Sequence, residues 1–246
     1  MEEINLAWMY PDILNLHGDR GNIMAFERIA NIFDIKLNVH RINKLDEEID
    51  FQNIDIMFFS PGELKHIIKI IESLKKYENQ IKEFIENEKY IISIGTSGAI
   101  FAKNIKRYDN TVIQGLNILD MDCYERNTVI GDDIYFPITG GKEIIGSQIQ
   151  MIDIKLNSSE TLEEVKYGYG NDGTKKEGAK YINLIFTNTL GPVFVKNPWW
   201  GEEILKEIAS KKNINIKETE EEYEIEKSSL ESTKRFIEGK IARRNT

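Results

Sequence analysis

The chain has 246 residues and a mass of 28.5 kDa, which places it at the upper end of one α/β domain or makes two small ones. It carries 32 Lys and Arg against 41 Asp and Glu, a formal net charge of −9, which argues against a polyanion-binding surface and hence against a nucleic-acid partner. One cysteine and three histidines exclude a disulfide framework and leave only a sparse metal cage, so neither metal nor cofactor is expected. The opening MEEINLAWMY has no basic region or apolar run of signal-peptide length, and no stretch is apolar enough to span a membrane. A soluble, cytoplasmic protein is the expectation.

Along the first hundred residues strand-like and helix-like segments alternate. Ile4–Met9 is a short apolar run stopped by Pro11 and the polar turn His17-Gly-Asp-Arg-Gly21. Ile23–Phe33 has apolar residues at helical spacing, and Leu37–Ile42 alternates apolar and polar as a half-buried strand does. Asp55–Phe59 is a compact apolar run ended by Ser60-Pro61-Gly62, and Leu64–Glu88 reads as one long helix or two. Tyr90–Ile94 predicts a buried strand, followed by Gly95-Thr96-Ser97-Gly98 and a short apolar helix at Ala99–Ala102. This order predicts a parallel sheet with helices on both faces, with ligands at the carboxyl ends of its strands. The loops at 11–22, 60–63 and 95–98 are therefore the candidate site walls.

Beyond about residue 110 the pattern turns to strands: Val112–Leu119, Asp133–Phe136, Glu143–Leu156, Val165–Tyr169 and Tyr181–Thr187. These form either a second domain or an antiparallel flank of the first sheet, and the absence of a Pro- or Gly-rich linker favours one domain over 1–215. Trp200–Ser210 predicts a helix after Asn197-Pro198. Residues 216–246 read as an acidic connector, Glu218 to Glu226, and a final helix packing on the same domain. That helix would open with a capping box at Ser228–Glu231 and present Leu230, Ile237 and Ile241 on one face. The pair Trp199-Trp200 is either a staple into the core or an exposed patch for a partner.

The segment around residues 91–102 carries the most chemical information. A sharp turn between a buried strand and a helix can expose a nucleophile beside free backbone N–H groups. Ser97 is then either that nucleophile or a turn-capping serine; no histidine lies in the second half of the chain to serve it, and His66 is the nearest candidate base in the loop order. Thr96 shares the first reading. Cys123 sits between acidic residues, which raise rather than lower a thiol pKa, so it reads as structural. His17 reads as lining a site or contributing to it, and His40 as a surface residue.

Five segments occur in order: Tyr10–Asn22 (YPDILNLHGDRGN), Gly115–Asp120 (GLNILD), Tyr167–Asp172 (YGYGND), Glu177–Asn183 (EGAKYIN) and Gly191–Pro198 (GPVFVKNP). Together they resemble the cobyric-acid-synthase-like class I glutamine amidotransferases, and among these the glutaminase subunits of lipid II isoglutaminyl synthases, which serve cell-wall precursor amidation beside a Mur-ligase-like partner. The resemblance runs from about residue 4 to the final helix. It implies an α/β, flavodoxin-like mixed sheet with helices on both faces, a cysteine nucleophile at the elbow, a histidine base at a later strand end and an oxyanion loop after the third strand.

At each of those places the sequence departs from the family's pattern. Gly95 stands at the cysteine position and Leu190 at the histidine position. The Gly-rich oxyanion loop becomes Ser60-Pro61-Gly62-Glu63-Leu64, where Pro61 lacks an N–H, and a Glu-Asn-His segment becomes Gln148-Ile149-Gln150. Glycine carries no nucleophile and leucine accepts no proton. The resemblance with these losses implies a catalytically degenerate subunit that binds or regulates a Mur-ligase-type or other ATP-dependent amide-forming synthetase. Residues implied at its ligand pocket are Gly95, Thr96, Ser97, Gly98, Ser60, Gly62, Glu63, Asn15, His17, Asp19, Arg20 and Gln148. The rival readings are a hydrolase or amidotransferase with its nucleophile relocated to Ser97 or Thr96, using His66 or His17, and a working glutaminase that uses Cys123 to supply ammonia for cell-wall or cobalamin-type amidation.

Overall fold

The computed structural model describes residues 3–219 and 223–244. Its first strands are β1 (Ile4–Met9), β2 (Leu37–Ile42), β3 (Ile56–Phe59) and β4 (Tyr90–Ile94), all parallel. β3 and β4 are buried at every position, as central strands covered on both faces must be, and their sequences IMFF and YIISI are nearly unbroken apolar runs. β2 lies at the sheet edge, which is why its apolar residues alternate with polar ones. Alternation across β3 sends Ile56 and Phe58 to one core and Met57 and Phe59 to the other. α1 (Arg20–Ile32) covers the first core, where the Phe26 and Phe58 rings meet edge to face. α2 (Leu64–Leu74) and α3 (Glu78–Glu86) cover the second, separated by a single 3-10 turn at Lys75–Tyr77. The segment 64–88 is thus two helices.

The middle of the chain forms a sheet of its own, not a flank of the first. β5 (Asn104–Lys106), β6 (Val112–Gln114), β7 (Met121–Pro137) and β8 (Glu143–Leu156) pair in the order β6-β5-β7-β8. β7 and β8 make a long antiparallel hairpin with a bulge between Glu125 and Ile130. β9 (Glu163–Glu164) and β10 (Lys176–Glu177) form a short ladder, and the expected strand at 165–169 is reduced to one bridge, Tyr135 to Tyr167. The chain then returns to the first sheet through β11 (Ala179–Tyr181) and β12 (Leu184–Thr187), giving the order β11-β12-β4-β3-β1-β2 with only β11 antiparallel.

α4 (Val193–Lys196) and α5 (Pro198–Lys211) pack on α1. Trp199 and Trp200 are buried there, the Trp199 indole N–H donating to the Glu143 carbonyl at 3.0 Å. They are core staples, not an exposed patch. α6 (Glu224–Arg244) begins four residues before Ser228, so the expected capping box lies inside the helix, and residues 220–222 of the acidic run lie outside the described residues. Leu230 and Ile237 are buried under α6, whereas Ile241 faces outward. Ion pairs from Lys234 to Glu143 (2.8 Å) and Lys240 to Asp133 (2.8 Å) tie it to the hairpin. Among the described residues no helix is long and apolar enough to cross a membrane.

Candidate active-site cleft

β4 ends at Ile94 and the backbone turns sharply through Gly95, whose φ of +60° lies in the left-handed region. No α-helix follows. The elbow is a six-residue 3-10 helix, Gly95–Ile100, after which the chain bends into β5. The carbonyls that a longer helix would use are taken from outside: Leu116 N–H donates to Ile100 O (2.8 Å), Asn117 N–H to Ala102 O (3.0 Å) and Leu119 N–H to Phe101 O (2.9 Å). The helix expected at Ala99–Ala102 is therefore cut short: Ala99 and Ile100 close the 3-10 turn, and residues 101–102 lie beyond it.

Gly95, Leu190 and Pro61 meet at this turn. A Cβ placed on Gly95 would lie 3.4 Å from Leu190 Cδ2 and 3.3 Å from Pro61 Cβ. Leu190 is held by exchanging both backbone hydrogen bonds with Ser147 of β8 (2.8 and 3.1 Å). Gly146 permits that approach, since a Cβ there would come within 2.3 Å of Thr189 Cγ2. The segment before Leu190 hangs on the fully buried Glu177 carboxylate, which accepts from Thr187 Oγ1 (2.6 Å) and Asn188 N–H (2.7 Å). Burial pushes the Glu177 pKa up, and these donors oppose it.

The two hydroxyls of the elbow have opposite settings. Ser97 is fully buried: its Oγ accepts the Ile94 N–H (3.0 Å), sits 2.8 Å from Ser93 Oγ, and lies 2.9 and 3.0 Å from the carbonyls of Ile94 and Phe59. It clamps the turn to β3 and β4 and does not line the cleft, which removes it as a nucleophile and as a ligand contact. Gly98 is buried likewise. Thr96 does line the cleft, but its Oγ1 donates to Gly62 O (2.6 Å) and accepts the Gly62 N–H (3.0 Å). In the oxyanion-loop segment Pro61 thus has no donor, and the Gly62 donor is already spent. His66 lines a neighbouring hollow with Asn15 and Lys69 and is not among the residues that line the cleft with Gly95 and Thr96.

The other expected contacts divide as follows. Gly95, Thr96, Gly62, Glu63 and His17 line one cleft of about 480 Å³. The imidazole of His17 is shifted below its ordinary pKa by desolvation. Asp19 is buried under the start of α1, where its Oδ1 accepts from Asn22 Nδ2 (2.7 Å), and burial pushes it up to about 7. Ser60 is buried beside the loop, and Arg20 is exposed and off the cleft wall. Gln148 is buried too: its amide donates to Gly170 O (2.9 Å) and Gln150 Oε1 (2.9 Å) and accepts from Tyr169 and Gly170 N–H groups. Asp19, Ser60, Arg20 and Gln148 are therefore corrected from ligand contacts to parts of the frame or the outer surface. Cys123 is buried between Ile105 of β5 and Ile154 of β8, away from the cleft, and burial raises its thiol pKa, which is the setting of a structural cysteine and not of a reactive thiol.

Sequence reasoning missed the far wall of the cleft. Glu125, Val129, Ile149 and Met151 come from β7 and β8 of the second sheet, and Arg107 and Tyr108 from its β5–β6 turn, all of which the sequence left unplaced. The one available signal was Gln148-Ile149-Gln150-Met151, where an alternating strand buries its glutamines and turns its apolar residues outward.

A mostly parallel sheet with helices on both faces, a glycine elbow after β4 and a facing strand end at Leu190 define the class I glutamine amidotransferase fold. Solved structures bear this out: one titled a glutamine amidotransferase covers 83% of this chain and 98% of its own at a TM-score of 0.56 and 14% identity. PurLQS from Thermotoga maritima covers 86% and 99% at a TM-score of 0.55 and 13% identity. No family model matches the chain. Among curated proteins it is 31% identical over 229 residues to lipid II isoglutaminyl synthase (glutamine-hydrolyzing) subunit GatD of Staphylococcus aureus (strain N315), with 92% of this chain and 93% of that protein covered. The Streptococcus pneumoniae (strain ATCC BAA-255 / R6) subunit of the same name is 24% identical over 199 residues, covering 79% and 76%. The chain belongs to the GatD family of lipid II isoglutaminyl synthase subunits.

Proposed function

We propose that this GatD-family chain is a non-hydrolysing subunit: it keeps the amidotransferase frame, has no glutaminase dyad, and acts by binding and regulating an amide-forming synthetase of the Mur-ligase type in the cytoplasm. The observation that carries this reading is the convergence of Gly95, Leu190 and Pro61 at the elbow, where a side chain at position 95 would touch both of the others. Were the nucleophile simply elsewhere in the alignment, the two positions would have no reason to meet. They do meet, and neither side chain can attack a carbonyl or move a proton.

The oxyanion-loop segment supports the same reading. A tetrahedral intermediate needs donors preorganised toward its oxygen. Pro61 supplies none, and the Thr96 hydroxyl occupies the Gly62 N–H. What persists is the frame: the Glu177 network, the Leu190–Ser147 exchange and the Gln148–Gly170 clamp all hold the cleft walls in register. Retention of a frame without its reacting groups fits a subunit whose value lies in its shape. The test is ammonia release from glutamine by the purified chain, alone and with the synthetase-type partner co-expressed. The reading predicts no release in either case and complex formation with the partner. Release above the rate of a heat-inactivated sample would overturn it.

A further inference from the structure

The cleft beside Gly95 is lined largely by apolar side chains. Its far wall exposes Tyr108, Val129, Ile149 and Met151, and its near rim exposes Leu16, each more than a third accessible. This clustering follows from the polarity of β8. Gln148 and Gln150 are 1% and 4% exposed, pinned by hydrogen bonds to Gly170 and Asn171, so the intervening Ile149 and Met151 must face the cleft. A one-residue slip would bury the apolar pair and expose the glutamines, so the buried amide network maintains an apolar-outward surface that hydrophobicity alone opposes.

The charged groups in the cleft need no ligand. Four charged side chains line it, and they pair among themselves, Arg107 with Glu125 and Lys65 with Glu63 (2.6 Å). Much of the polar backbone at its floor is also engaged. Pro61 O accepts from Leu16 N–H (3.1 Å), Gly62 is bonded to Thr96 through both its N–H and O, and Leu190 exchanges bonds with Ser147. A zwitterion would enter with two charges and meet no unpaired cation or anion among the charged side chains of the cleft, so nothing there replaces the water its charges would lose.

We propose that this cleft of about 480 Å³ binds a small, uncharged, largely apolar molecule, seated on Ile149, Met151 and Val129 with Leu190 and Pro61 at its floor. The volume lies in the range of small-molecule pockets, and a mainly apolar lining with few free polar groups is their usual character. The inference rests on the non-hydrolysing reading, since a working glutaminase would need the same space for glutamine.

The test is a titration of protein carrying 13C-methyl methionine with indole as a neutral probe, with glutamine, and with a tryptophan-containing tripeptide, the Met151 signal being assigned by Met151→Leu. The expected result is a saturable shift of the Met151 methyl with indole and none with glutamine at the same concentration. Ile149→Ser and Val129→Ser, both at exposed positions, each weaken indole binding about tenfold. Equal or tighter binding of glutamine, indole binding that both variants leave unchanged, or no saturable indole shift at all would overturn the proposal. So would a response to the tripeptide alone, which would give the cleft to a partner's side chain. Glutamine binding without ammonia release would sink this inference and leave the non-hydrolysing function standing, whereas ammonia release would sink that function itself.

Discussion

Replacing Ser97 by alanine separates a structural serine from a catalytic one. The variant removes a buried Oγ that accepts the Ile94 N–H at 3.0 Å, contacts Ser93 Oγ at 2.8 Å and reaches the Phe59 and Ile94 carbonyls. The Ile94 N–H is left without its acceptor in a fully buried strand end, a loss of roughly 1–3 kcal/mol, and the Ser93 hydroxyl loses a partner for about 1 kcal/mol more. The carbonyls retain their second lone pairs and add little. The expected destabilisation is therefore about 2–4 kcal/mol. With a urea slope of about 3 kcal/mol/M for a chain of this size, the midpoint falls by about 1 M. Equilibrium urea unfolding followed by tryptophan fluorescence measures it, since Trp8, Trp199 and Trp200 are all buried. A change below about 0.5 kcal/mol would refute the clamp. So would labelling of native Ser97 by a fluorophosphonate, which needs an exposed and activated hydroxyl.

Three further outcomes follow from the buried and paired ionisable groups. Burial raises Asp19 from 3.8 to about 7, so the folded state binds the extra proton. Stability therefore declines as pH rises from about 4 through 7, and Asp19→Asn flattens that decline, as urea midpoints at several pH values will report. Glu143 is depressed: although partial burial opposes it, hydrogen bonds from Lys234, Tyr135 and Lys166 hold it down to about 2. Its contribution is present above about 4.5 and is lost as pH falls toward 2, so the protection of α6 amides, taken relative to their intrinsic exchange rate at each pH, should fall across that interval in the native protein and stay level in Glu143→Gln. Finally, Cys123 should resist iodoacetamide in the native state and react only as fast as the protein opens, and rapid native alkylation would contradict its burial.

The sequence exposed those parts of the fold whose burial was uniform. β3 and β4 are covered on both faces, and β1 is nearly so, hence their apolar runs were plain, and α1 and α2 showed their apolar stripes directly. Of β7 only the end at Asp133–Phe136 was plain, because the middle, from Glu125 to Gly131, bulges into solvent and reads as polar turn sequence. The segment after the elbow was misread because Ala99–Ala102 is apolar for core packing, and its helix is ended by tertiary hydrogen bonds from Leu116–Leu119 that no local pattern announces. Of the cleft, the loop-borne floor was legible through the family resemblance, with Gly95 and Leu190 placed opposite each other. The wall from Arg107 to Met151 was not, because its side chains come from a second sheet whose position depends on Leu190 pairing with Ser147. Gln148 and Asp19, which the resemblance implies at the pocket, depart from it for a shared reason: both are buried and hydrogen-bonded within the frame.

The central claim is that the amidotransferase cleft of this chain contains no group able to attack glutamine. Intact-mass analysis after incubation with an electrophilic diazo-ketone analogue of glutamine tests this directly, with the native chain alone and mixed with the proposed Mur-ligase-type synthetase. The account predicts an unmodified mass. A single stoichiometric adduct mapping to Thr96, His17 or any other cleft residue would contradict it.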